Sequence, residues 1–245
     1  MQNLFMRWFG GPRDAADWGA VADWANAAGH RFTRSRDGSG FIVQPAQAAA
    51  GWRVEWGPPQ RHYFSSPELR LRGEVGPTGD LQMLIMTRAL MTQLEQQVFE
   101  EFTESNLTRM DDQTPEEMRW LVLYPKVPRA ELGVLRERFG ALSNVPRAAL
   151  HWVGPPLSQQ LDASSAWLAV DQPLALVVQR GRLTLRCALA QPELAVLQGA
   201  LGLFGVAQVA ARRVGEELAR GEIGNDRPST WGAPSRMPEG DPKQG

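Results

Sequence analysis

Along most of this chain polar and apolar residues alternate over short stretches, and a few longer segments carry the three-to-four residue repeat of an amphipathic helix. From Asp14 to Ala28, Trp18, Val21, Ala22 and Ala25 fall at helical spacing, and Gly29 supplies a stop. Arg31–Arg34 and Phe41–Gln44 flank the turn Asp37-Gly38-Ser39-Gly40 and read as a β-hairpin. Trp52, Val54 and Trp56 alternate with Arg53 and Glu55, which predicts a third strand with one buried and one solvated face. Beyond the breaker Gly57-Pro58-Pro59, Leu69 and Leu71 alternate with Arg70, Arg72 and Glu74. Gly76-Pro77-Thr78-Gly79 then leads into Leu81–Met86, and the two runs read as a second hairpin. From Thr87 to Glu104, Leu90, Leu94, Val98 and Phe102 form the clearest helical stripe in the chain.

The capping-box pattern Thr114-Pro115-Glu116-Glu117 starts a short helix, and the run Trp120–Tyr124 behind it fits either helix or strand. The second half repeats the order: a helix from Arg129 to Phe139 closed by Gly140, a strand at Leu150–Val153, and a second breaker, Gly154-Pro155-Pro156. Leu174–Gln179 and Leu183–Cys187 form a hairpin about Arg180-Gly181, and Pro192 opens a helix carrying Leu194, Leu197, Leu201 and Phe204. The expected fold is α+β, with antiparallel sheets flanked by amphipathic helices and arranged as two pseudo-repeated helix–sheet–helix lobes. The lobes are 1–107 and 129–221, joined by a connector at 108–128 that holds the short helix. The composition of 222–245 predicts a disordered tail.

With 245 residues, 43% of them apolar, the chain has ample material for a core. Its 26 basic and 27 acidic side chains leave a net charge of −1, so no global field draws it to a polyanion. The charges are segregated, however: residues 62–118 carry −7 and 119–220 carry +5. The nearest approach to a basic groove is the hairpin with Arg180, Arg182 and Arg186, and no nucleic-acid motif frames it. A single cysteine, Cys187, rules out an intramolecular disulfide, and its phase with Leu183 and Leu185 makes it a core residue. The first residues lack the apolar run of a secretory signal, and arginine outnumbers lysine as GC-rich coding would produce, so a bacterial cytoplasmic protein is expected. Leu194–Ala211 is free of charge, but Gly199, Gly202, Gly205, Gln198 and Gln208 dilute it, and no membrane span is expected there.

The three histidines, His30, His62 and His151, have no helical spacing to one another, and neither a metal site nor a cofactor motif is implied. His62 and Tyr63 lie in the long loop between strands, where binding groups concentrate. His151 and Trp152 stand at the end of the expected strand, and Trp152 and Trp167 fall outside any apolar register, which makes them candidates for an exposed hot spot. His62, Tyr63, His151, Trp152 and Trp167 are therefore the candidate ligand- or partner-binding residues; no catalytic residue stands out. The leading expectation is a protein-interaction or scaffolding protein without catalytic activity, working through its amphipathic helices or a strand edge. A protein partner or self-association is favoured over nucleic acid. The alternatives are a small-molecule-binding protein or enzyme with a cleft between the lobes, and peripheral membrane association through the 194–211 helix.

Overall fold

In the computed structural model, which describes residues 18–47, 51–104 and 114–224, the strands join in one antiparallel sheet. The chain runs α1 (Gly19–Ala27), β1 (His30–Arg34), β2 (Phe41–Pro45), β3 (Trp52–Gly57), β4 (Glu68–Glu74), β5 (Met83–Thr87), α2 (Arg88–Glu104) and α3 (Glu116–Leu123). After a 3-10 segment at Arg129–Glu137 come β6 (Phe139–Ser143), α4 (Pro146–Val153), α5 (Leu157–Ala163), β7 (Leu174–Gln179), β8 (Arg182–Ala188) and α6 (Leu194–Ala219). The strand order is β1-β2-β3-β4-β8-β7-β5-β6.

The α+β class with an antiparallel sheet is as the alternation predicts. The strands do not form a separate sheet in each half: β4 pairs with β8 and β5 with β7, so strands from both halves interleave in a single sheet. The runs at 69–74 and 81–86 do not pair with each other as the expected hairpin. Met83, Leu84, Ile85 and Met86 are all buried, and a strand covered on both faces belongs in the sheet interior. Leu150–Val153, expected as a strand, is the end of α4, with Pro146 in its first turn. Trp120–Leu123 is helical, as the last half of α3. The expected helix at 129–139 is a 3-10 segment interrupted at Gly133, and Phe139 already belongs to β6. The tail at 222–245 lies outside the described residues apart from 222–224, where Ile223 is buried in the core.

The register makes the two faces of the sheet legible as rows. On the first face one row reads Phe32, Val43, Val54, Leu71, Leu185, Leu176, Ile85 and Ala141, apolar from edge to edge. α1, α4, α5 and α6 cover it, and Val196, Leu197, Leu203, Phe204 and Val214 of α6 are buried in this core. α6 is the one helix among the described residues long and apolar enough to cross a membrane, and here its apolar side lies against β4, β8, α4 and α5. Gly199 serves close packing: a Cβ there would stand 2.6 Å from the indole of Trp167.

On the second face a row runs Arg53, Arg72, Thr184, Val177, Leu84, Leu142. Its apolar end lies under α2 and α3, whose Leu90, Leu94, Val98, Met118 and Trp120 are buried with Leu84, Met86 and Leu142. α2 approaches β6 so closely that a Cβ on Gly140 would fall 2.4 Å from Met91. Toward the row's polar end α3 reaches β8 through Glu117, 3.7 Å from Arg186, and β1 to β4 have no helix over this face among the described residues.

Candidate functional site

Neighbouring strands lie about 4.8 Å apart, so side chains at matched positions on β3, β4 and β8 are forced against one another. The register sets Arg53 opposite Arg72 and Arg70 opposite Arg186. Like charges so placed repel, and the surrounding residues answer the two pairs differently.

The Arg70–Arg186 pair is buried and neutralised. Glu68, at 0% exposure, contacts Arg186 through one oxygen and Arg70 Nη1 through the other at 3.3 Å, and accepts the Gln60 backbone N–H at 2.7 Å. Arg70 Nε also reaches Glu55 at 3.3 Å and its Nη1 donates to the Pro58 carbonyl at 2.9 Å. Glu117 on α3, at 1% exposure, stands 3.7 Å from Arg186 and takes two hydrogen bonds from Arg61 at 3.2 and 3.3 Å. The loop between β3 and β4 closes over this network with Tyr63 and Phe64, both buried. Burial, and after it the Glu117 carboxylate, pushes the Tyr63 phenol well above its ordinary pKa. The Tyr63 hydroxyl and Glu117 Oε2 are buried without a hydrogen-bond partner among the described residues.

The Arg53–Arg72 pair is half neutralised. Arg53 pairs with Glu55 at 2.6 Å, but Arg72 has no carboxylate partner among the described residues; its guanidinium donates to the neutral Gln60 side chain at 2.8 Å. Burial lowers its pKa, and Arg186 and Arg70 lower it further against the pull of Glu55 and Glu68. Beside it the β7–β8 turn carries Arg180 at φ 50° and Gly181 at φ 71°. A two-residue turn with both φ values positive favours Asn, Asp or Gly at its first position, and arginine stands there, without an ion-pair partner among the described residues.

Two cavities open on this surface and share Arg72 and Arg182. One, of about 500 Å³, extends toward β1 and is lined by Arg31, Arg53 and Glu74; the other, of about 400 Å³, extends toward α3 with Arg61, Arg180, Arg186 and Glu117. Together they hold seven arginines against three glutamates, an excess of positive charge in a concave surface.

Three of the candidate residues chosen from sequence meet elsewhere. His62, Tyr63 and Trp167 line one cavity of about 730 Å³ with Ser65, Ser66 and Asp171. His62 makes an edge contact with Tyr63, its ring centroid 5.9 Å away, and no hydrogen bond among the described residues. His151 and Trp152 are not part of it. His151 sits on exposed α4 surface with its Nδ1 3.0 Å from Glu217 on α6. Trp152, expected as an exposed hot spot, is fully buried and donates its indole N–H to the Ala207 carbonyl at 3.1 Å, so its lack of register reflects a role between helices. A histidine acting as a general base needs a cavity and a nearby polar partner together; His62 has the first and His151 the second. Cys187 is in the core, where burial pushes its thiol up to about 12. No group of three His, Cys, Asp or Glu side chains suited to a metal ion occurs among the described residues.

From sequence, Arg53, Glu55, Arg70 and Arg72 read as solvated positions of alternating strands and Glu117 as part of a capping box, while Arg180, Arg182 and Arg186 read as the nearest approach to a basic groove. The usable signal was arginine recurring at every second position of strands that also carry leucine. Neither a protein-family model nor a curated protein matches this chain.

Proposed function

We propose that this is a binding protein for an anionic ligand, held on the arginine-rich open half of the second sheet face. The observation that carries the reading is Arg72: a half-buried guanidinium opposite Arg53, flanked by Arg70 and Arg186, with a neutral amide as its hydrogen-bond partner and no carboxylate paired to it among the described residues. Local opposition to folding is expected at functional surfaces. Arg180, at a turn position that disfavours it, supports the same surface. Arginine's planar fork suits bidentate contact with carboxylate or phosphate.

The reading through amphipathic helices has less support, since the apolar sides of α2 and α6 are buried on the sheet. A protein partner retains the outer edge of β1, which among the described residues pairs with β2 alone, although Arg31 and Arg34 guard it as charges guard exposed edges elsewhere. Thermal unfolding in low-salt buffer tests the proposal. Inorganic phosphate or citrate is expected to raise the melting temperature of the native chain and to leave that of Arg72→Gln unchanged, while the variant alone melts higher than the native chain alone. Equal shifts in the two proteins would remove Arg72, and with it the proposal.

A further inference from the structure

The two cavities do not lie side by side by accident of surface shape: Arg72 and Arg182 line both, with Arg31 and Arg53 on one flank and Arg61, Arg180 and Arg186 on the other. One anionic group would use only half of this arrangement. Arg182 is held by Glu74 at 3.1 Å on the exposed side, so it is restrained between the cavities without being buried.

The chemistry of the surroundings narrows the ligand further. Of the aromatic residues of β1 to β3, Phe32, Phe41 and Trp56 are in register with the first face, and Trp52 packs against the first-face core while also lining the β1-side cavity. Glu55, Glu74 and Glu116 stand around the arginines and would repel a polyanion running out of the site. The volumes are those of small-molecule sites. Neutral groups are also at hand on the α3 side: the Thr184 hydroxyl and the Gln179 amide, which suit hydroxyl groups of an organic ligand.

Resting on the anion-binding reading above, we infer that the ligand is a compact organic phosphate with two anionic groups, one in each cavity, bridged across Arg72 and Arg182. Two groups on one ligand bind with the advantage of a linked pair, so pyrophosphate is the probe that separates this arrangement from a single-anion site. Calorimetric titration of the full chain is expected to show pyrophosphate binding about tenfold or more tighter than inorganic phosphate. Arg53→Gln on one flank and Arg180→Asn on the other are each expected to erase that preference. Both positions are exposed, and asparagine suits the turn at 180, so folding is preserved and the melting temperature verifies it.

Pyrophosphate binding no tighter than phosphate, or dependence on one flank alone, overturns the two-group inference and leaves the anion site on Arg72 standing. Binding of neither anion removes both. A short oligothymidylate binding more tightly than pyrophosphate, and more so with length, would overturn the inference in favour of a polyanion.

Discussion

The row that begins at Phe32 and the row that contains Arg72 cross the same strands, yet one is apolar from edge to edge and the other changes character at Thr184. The difference is in what lies above them. Four helices cover the first face, whereas among the described residues α2 and α3 cover the β5, β6 and β7 end of the second and reach β8 through Glu117. On the uncovered end the chain neither leaves the strands simply wet nor fills them with apolar residues. It builds two tiers of charge, an inner one neutralised by Glu68 and Glu117 and an outer one in which Arg72 has no carboxylate partner among the described residues. Burial of a polar residue is thus a poor guide to its role in this sheet, and the balance of its neighbours is the better one.

The sharpest way to break the comparison is to remove the inner neutralisation. Glu68→Ala leaves Arg70 and Arg186 buried and opposed without their shared carboxylate, and is expected to cost about 3–5 kcal/mol in urea unfolding. A loss under 1 kcal/mol would mean that water already shields the pair. On the covered end, Leu84→Ala removes a fully buried side chain beneath α2 and is expected to cost about 2–4 kcal/mol by the same measurement, through a cavity and not through charge.

Alkali probes the first face. Cys187 is neutral in the fold with its thiol pushed up to about 12, against an ordinary value of 9.0. The folded state therefore keeps a proton that the unfolded chain releases, and stability is full below the ordinary value and falls as pH rises through the interval toward 12. The expected loss is about 1.4 kcal/mol one pH unit above the ordinary value. Cys187→Ala should reduce that slope, leaving the part due to the buried Tyr63 phenol, whatever it does to stability at neutral pH, and identical slopes in the two proteins would contradict the burial argument.

The smallest effect is the most telling. Arg72→Gln is expected to stabilise the free protein by about 0.2–1 kcal/mol, the size of a cross-strand like-charge contact, because it relieves the outer tier. Destabilisation instead would make Arg72 a structural residue.

Much of this fold is legible locally. Helices α2 and α6, the β1–β2 and β7–β8 hairpins, and β3 follow from period and turn residues alone. Leu150–Val153 was misread because a short apolar run fits either element until its helical neighbours from Pro146 are counted with it. The hairpin expected between β4 and β5 failed for a different reason: both strands find partners far along the chain, and no local pattern reports them. The candidate site failed in the same way. Arg70, Arg72 and Arg186 were visible as polar positions in alternating strands, but their opposition exists only once β4 lies beside β8. The proximity of Glu117 depends in addition on α3 packing against β6.

The β4–β8 pairing also sets a timetable. Glu68 and Arg186 are separated by 118 residues. At about 5–20 residues per second on the ribosome, the carboxylate emerges roughly 6–24 s before the guanidinium it will neutralise. Throughout that interval β4 lacks its β8 partner and Glu68 lacks Arg186, so a β1–β4 meander formed in those seconds would present both a strand edge and a cationic face to whatever surrounds it.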